Sequence, residues 1–177
     1  ESVGRMLSPS LTEAQFQQNL VRIKKAKCKV LLCNIFFPGS IKIAGPAVDE
    51  TRVLSYADTV LSRAKEAGLK FIILGSGGAR RIPDGYDAVK AQEDFILLCR
   101  KLAMVAGKYR ITIALESLQA AETNFLVSLT SAAEVVRTVD HPNFKLNADI
   151  FHMSRGGELP QSIVEAADVL AYCEIAE

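Results

Sequence analysis

The chain has 177 residues, 49% hydrophobic and 23% charged, with 21 basic against 20 acidic side chains. That is enough for one globular domain with a real core, and a net charge of +1 gives no electrostatic footprint for nucleic acid or an anionic membrane. No apolar run reaches the roughly 18 residues of a membrane span, and "ESVGRMLSPS" lacks the regions of a signal peptide, so a cytoplasmic location is expected.

In chain order, "SLTEAQFQQNLVRIKKAK" opens with Ser10 and Glu13 at capping-box spacing and sets Phe16, Leu20 and Ile23 on one helical face. "VLLCNIFF" (Val30 to Phe37) then reads as a strand. "DETRVLSYADTVLSRAKEAG" carries Val53, Ala57, Val60, Leu61 and Ala64 at helical spacing, with Gly68 placed to stop it. The strand "KFIILG" (Lys70 to Gly75) runs into "GSGGAR", a tight turn. "YDAVKAQEDFILLCRKLAMVAG" predicts a long helix with Phe95, Cys99, Leu102 and Ala106 on one side. "ITIALE" (Ile111 to Glu116) is the next strand, and Ser131 with Glu134 makes a second capping-box pair before "VVRTV". "KLNADI" (Lys145 to Ile150) is a strand followed by the loop-like "HMSRGGELP". "LPQSIVEAAD" predicts a short helix, with Pro160 in its first turn. "VLAYCEIA" (Val169 to Ala176) is the last strand.

Strand and helix alternate without a linker, repeat or low-complexity segment, and several strands are apolar at consecutive positions. Both features predict parallel strands covered on two faces, joined by crossover helices. The Rossmann fingerprint is absent, because Arg80 stands where GxGxxG needs its third Gly. The other parallel architecture is the (β/α)8 barrel of about 250 residues. Five strands and a last strand with no helix after it suggest a segment of something longer. The four cysteines, Cys28, Cys33, Cys99 and Cys173, form no CxxC pair and are expected to be buried thiols in a reducing compartment.

In such folds chemistry gathers at the carboxyl ends of the strands. Glu116, Asp149 and Glu174 each stand at or near such an end. A carboxylate there is costly unless paired or bound to a cation, and oxygen ligands suit hard divalent ions. The spacing alone fits a cation site and structural ion pairs equally. His152 joins Asp149 only if the strand ends near Ile150 and the chain turns back; otherwise it caps or packs in the loop. Glu122 reads as a loop charge and His141 as a turn residue at the opposite rim. Arg80 could meet a phosphate, a carboxylate or a neighbouring acid.

These strand ends resemble the xylose isomerase-like TIM-barrel family of sugar-phosphate isomerases and epimerases, which includes ketose 3-epimerases. The similarity runs from "GRMLSPS" through "CNIFFPG", "LGSGGARRIPDGYD", "IALESLQAAETNF" and "DHPNFKLNADIFHM" to "AYCEIAE". Against that family the five strands match the third to seventh, so 1–177 forms a single partial barrel domain without the first two strands and the eighth, and inactive by itself. The resemblance implies that Glu116 is a metal ligand and acid/base, Asp149 a second ligand, and Glu122 and His152 substrate contacts. Arg80 is a further substrate-binding candidate. Glu174 stands where the family places a metal-bound His, and "ESLQ" replaces the more usual "EPLN". A Glu in that position favours Mn or Mg, with Co or Zn as lesser choices.

The implied function is a metal-dependent isomerase or epimerase of a ketose or sugar phosphate, working through an enediolate. Its partner is a small sugar, with no nucleic acid and no membrane. The apolar strand edges leave room for a homo-oligomer. A cyclic-polyol dehydratase on the same barrel and a degenerate, non-catalytic sugar-binding barrel are the alternatives. The family's DNA-repair endonuclease branch needs several metal-bound histidines, and this chain has only two histidines.

Overall fold

A computed structural model describes residues 2–175. Short helix α1 (Val3–Met6) is followed by α2 (Glu13–Lys25), strand β1 (Leu32–Cys33) and α3 (Glu50–Glu66). Then come β2 (Phe71–Leu74), the one-turn α4 (Gly77–Arg80), α5 (Ala88–Tyr109) and β3 (Thr112–Glu116). The chain continues through α6 (Leu129–Val139), β4 (Phe144–Asp149), α7 (Ile150–Gly156), α8 (Gln161–Glu165) and β5 (Leu170–Glu174). The strands form one parallel sheet in the order β1-β2-β3-β4-β5, as the alternating pattern predicts.

Alternate residues of each strand face opposite sides. Ile72 and Leu74 of β2, Ile113 and Leu115 of β3, and Leu146 and Ala148 of β4 join the main hydrophobic core with Val53, Val60, Leu102 and Val136 of the helices. Ile73 and Ala114 are buried too but lie outside that core, on the other face. There the sheet is rolled. The Phe71 ring on β2 lies 5.7 Å from that of Tyr172 on β5, and Asn34, just after β1, bonds Glu174 of β5 at 3.1 Å. Strands three and four places apart can touch only if the sheet curves into part of a barrel. The fold is therefore a half-barrel of the (β/α)8 type.

Several boundaries differ from the sequence-based expectation. β1 is short because Ile35 takes a left-handed conformation (φ 58°), which breaks extended geometry; Phe36 N still donates to Ile73 O at 3.2 Å. The box at α2 is Thr12 with Gln15, not Ser10 with Glu13; Ser10 is engaged with Ser8 at 2.8 Å. Ser128, not Ser131, caps α6. "GSGGAR" is a turn that opens directly into α4, with Ser76 left-handed at its start (φ 48°). Cys33 and Cys99 are buried as expected, but Cys28 and Cys173 are exposed. Cys173 lies on β5, whose exposure alternates; it is level with Ala148 on the helix-facing side of the sheet, a side left open at β5 among the described residues. Ala176 lies outside the described residues. No helix among the described residues is long and apolar enough to cross a membrane.

Candidate active site

The strand register sets the site. Glu116 at the end of β3 is level with Asn147 on β4, and Asp149 at the end of β4 is level with Glu174 on β5. Glu116 and Asp149 line a pocket of about 270 Å³ together with Asn34, Ile35, Gly75, Leu118, Glu122 and His152; Asn147 and Glu174 reach Glu116 and Asn34 from beside it.

Glu116 is 7% exposed, and its Oε1 accepts from Asn147 Nδ2 at 2.9 Å. Burial, then the neighbouring Asp149 and Glu174 carboxylates, push its pKa up to about 8, against a partial pull downward from Arg80 and Asn147. Asp149 has two duties. Its Oδ1 accepts from Phe151 N at 2.8 Å and caps α7. Its Oδ2 lies 3.7 Å from His152 Nε2.

His152 reaches the site because α7 starts immediately after β4. The predicted turn back is therefore the first turn of a helix, and the expected loop begins only after it. His152 Nδ1 lies 3.5 Å from Gln119 N and 3.7 Å from Glu122 Oε1. Glu122 sits in the exposed loop after β3, where it accepts from Gln119 Nε2 at 3.0 Å.

Glu116, Asp149 and His152 each offer one ligand atom, all within 4.8 Å of one another. Two carboxylates and an imidazole suit a divalent cation, and a cation would offset the repulsion that raises the Glu116 pKa. The residues present therefore fit the implied metal. Glu174 stands beside this trio rather than in it. Its Oε1 accepts from Asn34 Nδ2 at 3.1 Å and its Oε2 from Asn147 Nδ2 at 3.4 Å.

Arg80 does not face the pocket. It is 0% exposed, and its guanidinium donates to the backbone carbonyls of Glu116 (2.6 Å) and Leu126 (3.4 Å). Burial lowers its pKa to about 10, with Glu116 the first of the charges opposing that shift. Arg80, expected as a substrate-binding candidate, lies as a buried cation beneath the site, supporting the loop that follows β3.

The sequence reading missed Asn34, Asn147 and Gly75. Each carried a signal: two Asn inside apolar strand runs, where a buried amide needs a partner, and a Gly closing a strand.

A rim of carboxylates and one imidazole at the carboxyl ends of a rolled parallel sheet stands where (β/α) barrels carry their chemistry. The pattern described as xylose isomerase-like TIM barrel matches residues 6–176, and the chain belongs to that family. The E. coli 3-keto-D-glucoside 4-epimerase, in its apo form, superposes with a TM-score of 0.77 at 19% identity, over 91% of this chain and 64% of that one. The D-psicose 3-epimerase of Clostridium cellulolyticum H10, solved with D-tagatose, gives 0.79 at 17% identity over 96% and 60%. The IolI protein with a bound zinc atom gives 0.71 at 17% identity over 88% and 54%. The chain thus spans less than two thirds of each of these proteins. No curated protein sequence matches it.

Proposed function

We propose that the protein is a divalent-metal-dependent isomerase or epimerase of a ketose or sugar phosphate. The observation that carries this reading is Glu116: a buried carboxyl, raised to about 8, within 4.8 Å of two other metal-type ligand atoms. The family and the sugar epimerases among the solved structures support the same class of substrate.

The ion would be held by Glu116, Asp149 and His152, with Glu174 beside them. When bound there, a divalent ion such as Mn or Mg polarises a substrate carbonyl and favours loss of the neighbouring proton. Glu116 is the buried carboxylate beside that carbon, placed to take the proton and return it. Asp149 orients His152 from one side and Glu122 does so from the other. Glu122, the other acid lining the pocket, is left to meet a substrate hydroxyl. Leu118 and Ile35 supply apolar wall. A second proton carrier on the opposite sugar face is needed for epimerisation, and Glu122 and Glu174 are the other carboxylates near this rim.

The test is metal content. A complete barrel that carries this domain should hold close to one divalent ion per chain and lose ketose conversion when it is stripped with chelator, while residues 1–177 alone convert none. A protein that converts a ketose equally well after stripping would refute the metal-dependent reading.

A further inference from the structure

We infer that Asn147 is a positioning residue that ties Glu116 to Glu174 and fixes which oxygen of Glu116 is presented to the ligand; this rests on the metal-dependent reading above. Asn147 is 0% exposed in the middle of an apolar strand, a costly place for an amide unless it is bonded. Its Nδ2 donates to Glu116 Oε1 at 2.9 Å and to Glu174 Oε2 at 3.4 Å. With a divalent ion bound, both partners are ionised carboxylates, whose oxygens accept but do not donate. The nitrogen must therefore face them. Turning the amide over would set an oxygen against two negative charges. Its Oδ1 is buried with no hydrogen-bond partner among the described residues, so the donor end holds the side chain in place.

This single nitrogen has two effects. It occupies Glu116 Oε1 and leaves Oε2 as the remaining oxygen, on the side where Gly75 makes room. It also completes the hold on Glu174, whose other oxygen belongs to Asn34. Two like charges are kept at a set spacing by one neutral donor, with no third charge added to the site. A partner that orients a ligand in this way commonly changes metal affinity by about 10- to 100-fold when removed.

The experiment is Mn2+ titration by calorimetry on the full chain without substrate, with thermal denaturation of the same samples. Asn147→Leu keeps the shape and removes the donor. Asn147→Ala opens a cavity that can admit water as a substitute donor. The positioning role predicts that Asn147→Leu loses at least about tenfold in Mn2+ affinity. Asn147→Ala then loses less affinity, although its melting temperature falls further. A packing role predicts the opposite order, with Ala worse in both measurements. That order overturns the inference, as does Mn2+ affinity within about threefold of wild type in a folded Asn147→Leu. Should Asn147→Leu fail to fold, Asn147→Ser must bind Mn2+ more tightly than Asn147→Ala, because it keeps a hydroxyl donor; equal affinity overturns the inference. A wild-type protein that binds no Mn2+ refutes the metal reading itself, which separates the two failures.

Discussion

Gly75 and Glu116 oppose one another across the β2–β3 pair, and the space a Gly75 side chain would need is already held by Glu116 Oε2. The pairing of Leu74 with Leu115 one residue earlier brings them together. The φ of Gly75 is not positive, so close approach rather than backbone freedom requires the glycine. Gly75→Ala should leave the fold intact, because a side chain can swing away more cheaply than backbone. It should also displace the carboxylate, and a misplacement of about 1 Å costs roughly 100-fold in rate. Ketose turnover beside an unchanged circular dichroism spectrum checks this; wild-type turnover would mean that Glu116 tolerates the shift.

The raised pKa of Glu116 has a defined sign in the metal-free protein. Protonation favours the folded state, since the folded value of about 8 exceeds the ordinary 4.5. The stabilising contribution is complete below about 4.5, declines as pH rises, and is gone once the folded group ionises near 8. Urea midpoints from pH 5 to 9 should fall for wild type and flatten over the same range for Glu116→Gln. With metal present, affinity should rise toward pH 8, because binding displaces the Glu116 proton. Equal slopes for wild type and Glu116→Gln would assign the pH dependence elsewhere.

Arg80 should matter for stability and not for phosphate recognition. Arg80→Met strands the carbonyls of Glu116 and Leu126, each worth about 1–3 kcal/mol when buried without a donor. Chemical denaturation should show a loss of that order. The ratio of kcat/KM between a phosphorylated ketose and its free sugar should stay unchanged. A selective loss on the phosphorylated substrate would bring Arg80 back as a substrate contact.

Ile35 is 55% exposed, β-branched and left-handed (φ 58°) at the lip of the pocket. Such a backbone costs about 1–3 kcal/mol for a non-glycine residue. Ile35→Gly should therefore raise the melting temperature, even after the entropy cost of glycine in the unfolded chain. It should also raise KM for the sugar, because an apolar wall is lost. A lower melting temperature would show that the side chain contributes more than the strain costs.

The parallel alternation, the five strands and the rim of carboxylates were legible because they rest on residue type and period alone. Glu116, Asp149 and Glu174 end their strands as expected. The parts not legible depend on local competition or on distance. Thr12 and Ser10 offer equivalent caps, and only the Ser8–Ser10 contact decides between them. His152 lies on α7 because Asp149 caps that helix with the carboxylate that also faces the pocket. Nothing in "GSGGAR" shows that Arg80 turns inward to a carbonyl 36 positions along the chain. Asn34 and Glu174 are 140 residues apart and meet only because the sheet rolls.

The most direct test of the central claim is proton NMR of ketoses, free and phosphorylated, incubated in D2O with a complete barrel that carries this domain and Mn2+ or Mg2+. Proton transfer through Glu116 predicts deuterium entering the carbon beside the carbonyl of at least one ketose, stopped by chelator and by Glu116→Gln. Exchange that continues undiminished in Glu116→Gln, or no exchange from any ketose by metal-loaded protein, would contradict it.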